Sequence, residues 1–320
     1  MIIVRFDMRA PGADAEARAD LYGAAIEMAA FVDRTGSASI GVCEHHGASD
    51  GYLPSPLPMA AAIAAVTTSA PIVVAATLLP FYDPVRLAED MIVIDHISRG
   101  RAMFTLGIGY RPEEYELYGL DFARRGPIAD EKLAALLLHL SGASGVTPGP
   151  YTPGGPMLTW GGASKPAARR AGRNGIGFIA QGGDKAVLEA TYSAAAEDAG
   201  HTPGLCMIPP VDMPASVFVH DDLDAGWAEV GPALLHDAMA YAEWNRSTGM
   251  ADVTTSLSQS TTVDDLRAEH GSHRVVTTDE AVELVKQYGM LGLQPLCGGL
   301  DPEVAWPYLR RVVEEVLPRL

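Results

Sequence analysis

The sequence predicts an α/β fold, a single (β/α)8 barrel, and three observations carry that expectation. Short β-branched or apolar runs alternate with longer stretches of helical periodicity, the pattern of repeated βα units around a parallel sheet. The same rhythm continues on both sides of one Gly/Pro/Ser/Thr-rich connection, residues 141–156, which favours one closed barrel over two domains joined by a linker. The length of 320 residues suits one large barrel, so residues 1–320 are read as one domain with short insertions.

Residues 2–6 read as a first strand and residues 15–35 as a helix closed by Gly36, since glycine best tolerates the left-handed conformation that follows a helix. Residues 39–44 form a second strand, 59–68 a small-residue helix and 72–77 a third strand. Asp83 and Pro84 supply an N-cap carboxylate and a first-turn proline for a helix that runs to Arg99 and stops at Gly100. Val85, Ala88, Met91 and Ile92 give that helix an apolar face, with Arg86, Glu89 and Asp90 elsewhere. Residues 102–107 are the fourth strand, followed by a helix at 129–140. Strands five and six lie at 157–160 and 176–180, followed by helices at 165–173 and 184–199 respectively. Strand seven falls in 205–208 or in 216–219, and periodicity does not choose between them. A long helix at 222–247, a polar stretch at 249–262, a last strand at 291–296 and a helix at 302–317 complete the chain.

Composition narrows function. The chain is 48% apolar and 20% charged, as expected of a soluble protein with a substantial core. A net charge of −17 argues against nucleic acid or anionic lipid as partner, because both call for clustered Lys and Arg. Cys43, Cys206 and Cys297 lie far apart with no ligand-like spacing, which reads as reduced thiols in a cytoplasm and as no metal site. The amino terminus reaches Asp7 too soon for a secretory signal, so the mature chain is expected to start at Met1. Residues 51–82 carry no charge, but Pro54, Pro56, Pro58, Pro71 and Pro80 divide them into runs well short of the ~20 residues that a membrane span needs. The uncharged helix within that stretch would expose an unusual apolar face unless a second copy covers it, so a homodimer is expected.

Several residues are candidates for chemistry. Glu44, His45 and His46 lie where the second strand gives way to its loop, the end at which barrels place active sites, and imidazole there exchanges protons near neutral pH. Two surface loop histidines are the plain alternative. Metal chelation is disfavoured, because neighbours on an extended chain point to opposite faces and no partner motif occurs. Gly107 and Gly109 remove side chains at a strand end, so a flat ring or a loop can approach the backbone. Gly161, Gly162, Ala163 and Ser164 precede a helix whose free N–H groups would suit a phosphate, or are an ordinary cap by Ser164. Gln181 and Gly182, after strand six, add amide donors or form a plain turn. Asp95 and Arg99, one helical turn apart, suit an ion pair of roughly 0.2–0.5 kcal/mol.

Taken together these segments carry a resemblance. Glu44-His45-His46, the run from Asp83 to Asp90, Asp95-His96-Ile97-Ser98-Arg99-Gly100-Arg101, Gly107-Ile108-Gly109, the run from Tyr110 to Tyr115 and Gly161-Gly162-Ala163-Ser164 resemble the luciferase-like flavin-dependent oxidoreductases over nearly the whole chain. The resemblance implies a luciferase-like TIM barrel with a flavin ring over the strand ends and His45 beside it as acid–base or oxygen-adduct partner. It implies a bulge with a non-proline cis peptide near Val74, Ala75 and Ala76, so that Ala75, Ala76 and Thr77 back the ring. One departure stands out: many relatives carry an Arg-Gly pair before the Tyr-Arg-Pro-Glu-Glu segment, whereas Gly109 here runs straight into Tyr110. That leaves open whether Arg111 meets phosphate or substrate.

The activity so implied is a two-component monooxygenase using reduced FMN and oxygen on an apolar small molecule, with a flavin reductase as partner. A deazaflavin (coenzyme F420) enzyme of the same superfamily is the alternative; Glu before the histidine pair, where many deazaflavin enzymes have Asp, tilts the reading to FMN. A flavin-binding barrel without turnover and a metal hydrolase on the same fold are further alternatives, since a barrel does not fix function. Phe6, Met8, Tyr52, Leu53, Leu78 and Phe81 are candidates for an apolar substrate pocket, or are plain core.

Overall fold

A computed structural model of the chain describes residues 1–180, 182–248 and 256–320. Gln181 and part of the polar stretch at 249–262 therefore lie outside the described residues. In chain order the elements are β1 (Ile2–Phe6), α1 (Ala15–Asp33), β2 (Ala38–Val42), α2 (Pro56–Val66), β3 (Ile72–Leu78), α3 (Pro84–Ser98), β4 (Ala102–Gly107), α4 (Pro112–Leu117), α5 (Arg125–Leu140), β5 (Met157–Gly161) and α6 (Lys165–Arg173). They continue with β6 (Gly177–Ile179), α7 (Lys185–Asp198), β7 (Cys206–Met207), β8 (Ser216–Val219), α8 (Leu223–Thr248), α9 (Val263–Glu269), β9 (His273–Val276), α10 (Thr278–Tyr288), β10 (Leu291–Leu293) and α11 (Pro302–Arg311).

The chain divides into two compact units. The first comprises Met1–Pro54, Val66–Ala70 and Asp212–Leu320. In it β1 pairs in parallel with β10 on one side and β2 on the other, and β8 pairs in parallel with β9. Ile2, Val4 and Phe6 alternate as buried residues along β1, while β2 is buried throughout, as expected for strands covered on both faces. The end of α1 is tied down by Asp33, whose carboxylate accepts from the N–H of Thr68 (2.8 Å), Ser69 (2.9 Å) and Ala70 (2.6 Å) and from the Thr68 (2.9 Å) and Ser69 (3.0 Å) hydroxyls. Burial opposes this charge, yet those donors hold its pKa well below the usual carboxylate range.

The second unit comprises Ser55–Ala65 and Pro71–Val211. Its sheet runs β3-β4-β5-β6-β7, every pairing parallel, with α3, α5, α6 and α7 between successive strands. Asp83 caps α3 by accepting from the N–H groups of Val85 and Arg86, as its position before Pro84 predicts. The Ala75–Ala76 peptide is cis, and the β3–β4 register slips between Ala75 and Thr77, where the resemblance places a bulge.

Four expectations change. The two candidates for strand seven are both strands: β7 continues the sheet beyond β6, while β8 pairs with β9. Periodicity gives no sign of β9, because His273-Arg274-Val275-Val276 is short and shows no clean alternation. Asp95 does not pair with Arg99; its buried carboxylate accepts from the Thr152 N–H (2.7 Å) and hydroxyl (2.8 Å), anchoring the 141–156 connection. Arg99 instead ends α3 in the left-handed conformation at φ 55°. The closing α-helix stops at Arg311 and widens into a looser turn over Val312–Val316.

Candidate active site

In the first unit the site grows from the end of β1. Met8 is fully buried yet has φ 61°, a conformation that costs a bulky residue about 1–3 kcal/mol and that persists where the surroundings over-determine it. On either side of it, Asp7 and Arg9 join a buried ionic cluster. The Arg9 N–H donates to Asp7 Oδ1 at 3.2 Å, the Arg9 guanidinium donates to Asp50, and its Nε lies 3.1 Å from Asp237 Oδ1. Asp7 Oδ2 accepts from Gln294 Nε2 at 2.5 Å, and Gln294 Oε1 accepts from Arg5 and from Ser216 Oγ. Three aromatic rings complete the cage: the Arg9 Cζ is 4.4 Å from the centroid of Trp244, 4.7 Å from Tyr52 and 4.9 Å from Tyr241. A guanidinium removed from water is held there both by carboxylates and by ring quadrupoles.

His45 sits against the same rings. Its N–H donates to Leu53 O (3.1 Å), and the Leu53 N–H donates to Asp7 O (2.8 Å), which ties the loop after β2 to the end of β1. The His45 ring meets Tyr52 edge-on at 4.8 Å and Trp244 at 4.6 Å. His46 points to a different partner, with its Nε2 2.7 Å from Glu44 Oε1. The adjacent histidines are thus both buried but separately engaged, as alternation along an extended chain dictates.

Electrostatics divides the carboxylates. Burial raises the Asp7 pKa to about 7, and Asp237 adds to the effect, outweighing Arg9 and Arg5. Burial also works against Asp50, but the hydrogen bond from His236 (3.0 Å) and the Arg9 charge hold it well below the usual carboxylate range. Asp237 is lowered against its burial by the His273 Nε2 hydrogen bond at 2.8 Å and by the charges of His273 and Arg9. Asp237, His273 and Cys297 bring ligand-type atoms within 4.8 Å of one another. Asp237 already faces Arg9 through one oxygen and His273 through the other, so this grouping reads as part of the ionic cluster. Burial pushes the thiols of Cys43 and Cys297 up.

The second unit holds the residues expected at a cofactor. Thr77 Oγ1 is buried and has no hydrogen-bond partner among the described residues. A Cβ on Gly107 would lie 3.1 Å from Ala76 Cβ, a tight approach, so any larger residue there would press on the bulge. A Cβ on Gly109 would lie 3.7 Å from both Leu78 and Tyr115, and Tyr115 donates its hydroxyl to Ile108 O. Gly162 adopts φ 138°, a conformation that side chains rarely take, but its N–H donates to Ile179 O (3.1 Å). The Ser164 hydroxyl accepts from the Ala167 N–H (3.3 Å) as N-cap of α6, so the plain reading of this residue holds. With Pro166 in the first turn lacking an N–H, any anion here would meet the amides of Ala163, Ser164 and Lys165.

Phe6 is buried in β1, and Tyr52 belongs to the Arg9 cage. Leu78 ends β3, and Phe81 stacks on Tyr118 at 4.6 Å and meets Tyr115 edge-on. Arg111 caps α4 and pairs with Glu114 at 3.3 Å, which makes it part of the helix start. Gly182 is buried, and Gln181 lies outside the described residues. Sequence reasoning missed Arg9, Asp50, Asp237, Tyr241, Trp244 and His273. One signal was available: Asp237, Tyr241 and Trp244 recur at four and three residues along a helix and so share a face.

Comparison with known proteins gives the family and the fold. The sequence model of luciferase-like monooxygenases matches residues 2–287. Limonene 1,2-monooxygenase of Rhodococcus erythropolis is 30% identical over 96 residues, 30% of this chain and 25% of that protein. The oxygenase component of a flavin-dependent trigonelline monooxygenase from Acinetobacter baylyi is 29% identical over 125 residues, 38% of this chain and 35% of that one. The chain thus spans between a quarter and about a third of the length of these relatives. Among solved structures, monooxygenase RslO1 from Streptomyces bottropensis superposes with a TM-score of 0.76 at 20% identity, covering 100% of this chain and 99% of that one. The oxygenating constituent of 3,6-diketocamphane monooxygenase from Pseudomonas putida, in complex with FMN, gives 0.64 at 19% identity, covering 100% and 99%. An F420-dependent secondary alcohol dehydrogenase gives 0.60 at 14% identity, covering 95% and 97%. These likenesses show the fold, a TIM barrel of the luciferase-like type.

Proposed function

The chain belongs to the luciferase-like monooxygenase family, and from that premise we propose that it is the oxygenase component of a two-component flavin-dependent monooxygenase, acting with reduced FMN and oxygen on an apolar small molecule. The observation that carries this reading is His45, an imidazole at the end of β2 held against two aromatic rings beside a buried cation. A group so held can take or give a proton in one orientation. Bound reduced FMN would supply the electrons for oxygen chemistry. The residues present fit such a cofactor: the bulge at Ala75, Ala76 and Thr77, seated over Gly107, would back a flat ring, and Thr77 Oγ1 is a buried polar atom without a protein partner among the described residues. Gly161, Gly162, Ala163 and Ser164, with Gln181 and Gly182, are the phosphate side of the reading, carried by the amides of Ala163 and Ser164.

In this reading residues 1–320 form one catalytic domain, the protein works in the cytoplasm, and a flavin reductase is its partner. The FMN bound to the diketocamphane enzyme and the oxygenase component among the relatives favour FMN; the F420-dependent neighbour keeps the deazaflavin reading as the alternative. Homodimerisation through α2 is supported by the helix itself, which lacks charge and leaves Pro58, Ala65 and Val66 exposed. The test is to load the protein anaerobically with reduced FMN, mix it with oxygen and follow the return of oxidised flavin. A rate that differs from that of free FMN and depends on His45 is expected. Reoxidation at the free rate in wild type and His45→Ala alike would sink the proposal.

A further inference from the structure

We propose that Trp244 is a positioning residue for the reaction: its indole, seated on the buried Arg9 guanidinium, fixes the orientation of the His45 imidazole. The inference rests on the reading of His45 as the proton-transfer group. Asp237, Tyr241 and Trp244 lie on one face of α8, and that face meets Arg9 with a carboxylate at one end and an indole at the other. The Arg9 Cζ approaches the centroid of Trp244 at 4.4 Å, closer than either tyrosine, and Trp offers a cation the strongest ring quadrupole. Arg9 is itself fixed by Asp7, Asp50 and Asp237, so the indole rests on a support that cannot easily shift.

His45 touches two rings, and they hold it differently. Tyr52 belongs to the same loop as His45, and the His45 N–H to Leu53 O bond makes that contact one within a single segment. Trp244 comes from α8 and meets the imidazole at 4.6 Å with an interplanar angle of 55°. It therefore references the His45 ring to a separate helix of the scaffold. The Met8 backbone at φ 61° places Arg9 under that indole, which gives the unusual conformation a purpose.

The experiment reads the imidazole directly. The full-length protein is labelled at its nine histidines, few enough to resolve by ring correlation spectra, and His45 is assigned by the signal lost in His45→Gln. In Trp244→Leu the His45 ring signal is expected to lose its ring-current displacement, since the indole face is gone. In Trp244→Phe, which keeps a ring face, most of that displacement should remain. The flavin reoxidation rate should fall roughly 100-fold in Trp244→Leu, as for a misplaced catalytic group, while affinity for reduced FMN changes little. If Trp244→Leu fails to fold by circular dichroism, Trp244→Tyr must move the His45 signal in the same direction by less. An unmoved His45 signal in the folded variants overturns the proposal. A moved signal with reoxidation insensitive to both Trp244→Leu and His45→Ala supports the positioning contact and refutes instead the proton-transfer role of His45.

Discussion

Replacing Asp7 by Asn should change how stability depends on pH, and the size of the change follows from where the carboxyl sits. Asp7 is buried between Gln294, Arg9 and Asp237, and its pKa rises from 3.8 to about 7 in the folded chain. Between those two values the folded state holds a proton that the unfolded state has released. Stability contributed by this group is complete below the unfolded value of 3.8 and is lost as pH climbs to about 7, at up to about 1.4 kcal/mol per pH unit. Because Asp7 and Asp237 face the same Arg9 and the ionisation of one alters the field at the other, a loss of about 2–4 kcal/mol over the window is expected rather than the full product. The asparagine side chain cannot ionise, so this loss is absent from the variant, whatever its stability at low pH. Urea unfolding of both proteins from about pH 4 to about pH 8 measures the difference, with His236 and His273 present in each and cancelling. The stability gap should move by that amount in favour of Asp7→Asn as pH rises. Parallel curves would refute the description of Asp7 as a carboxyl that is neutral at mildly acid pH.

Other perturbations address the remaining claims. His45→Ala should slow turnover about 100- to 10,000-fold while leaving the affinity for reduced FMN within a few-fold; His46→Ala, which loses the contact to Glu44, should matter much less, and single-turnover kinetics separates them. Asp33→Asn turns one acceptor oxygen into a donor facing Thr68, Ser69 and Ala70 and should cost about 2–4 kcal/mol at neutral pH. Since the folded pKa of Asp33 lies below its ordinary value, that stabilisation is present above about pH 4 and lost as pH falls. The deficit of the Asn variant should therefore shrink in urea melts at about pH 3. Ala65→Glu places a charge on the exposed apolar face of α2, and light scattering at micromolar concentration should show the dimer give way to monomer.

Helix starts were legible because their chemistry is local. Asp83 before Pro84 and Ser164 before the helix at 165–173 cap as their side chains require, accepting from N–H groups two or three residues on, and Asp184, read as the first residue of its helix, caps α7 in the same way. The parallel order of strands followed from βα alternation, and β7 resisted reading because two paired residues carry no period. The site was legible only where it is contiguous in sequence, as at Glu44-His45-His46. Arg9 gives no hint from its neighbours that Asp50, Asp237 and three rings converge on it, since the contacts depend on strand and helix placement and not on spacing. Arg111, left open between phosphate and substrate, stands at the start of α4 and pairs with Glu114 three residues on, a contact that the spacing alone allows.

Cofactor choice bears most directly on the central claim. Full-length protein titrated anaerobically with reduced FMN and, separately, with the reduced deazaflavin gives both affinities, and an added flavin reductase with NADH then gives oxygen consumption. Reduced FMN should bind one per chain with a dissociation constant of about micromolar or better and support oxygen uptake that falls in His45→Ala. Tight binding of the deazaflavin with negligible affinity for FMN, and no protein-dependent oxygen uptake, would contradict the account of this barrel as an FMN-dependent oxygenase.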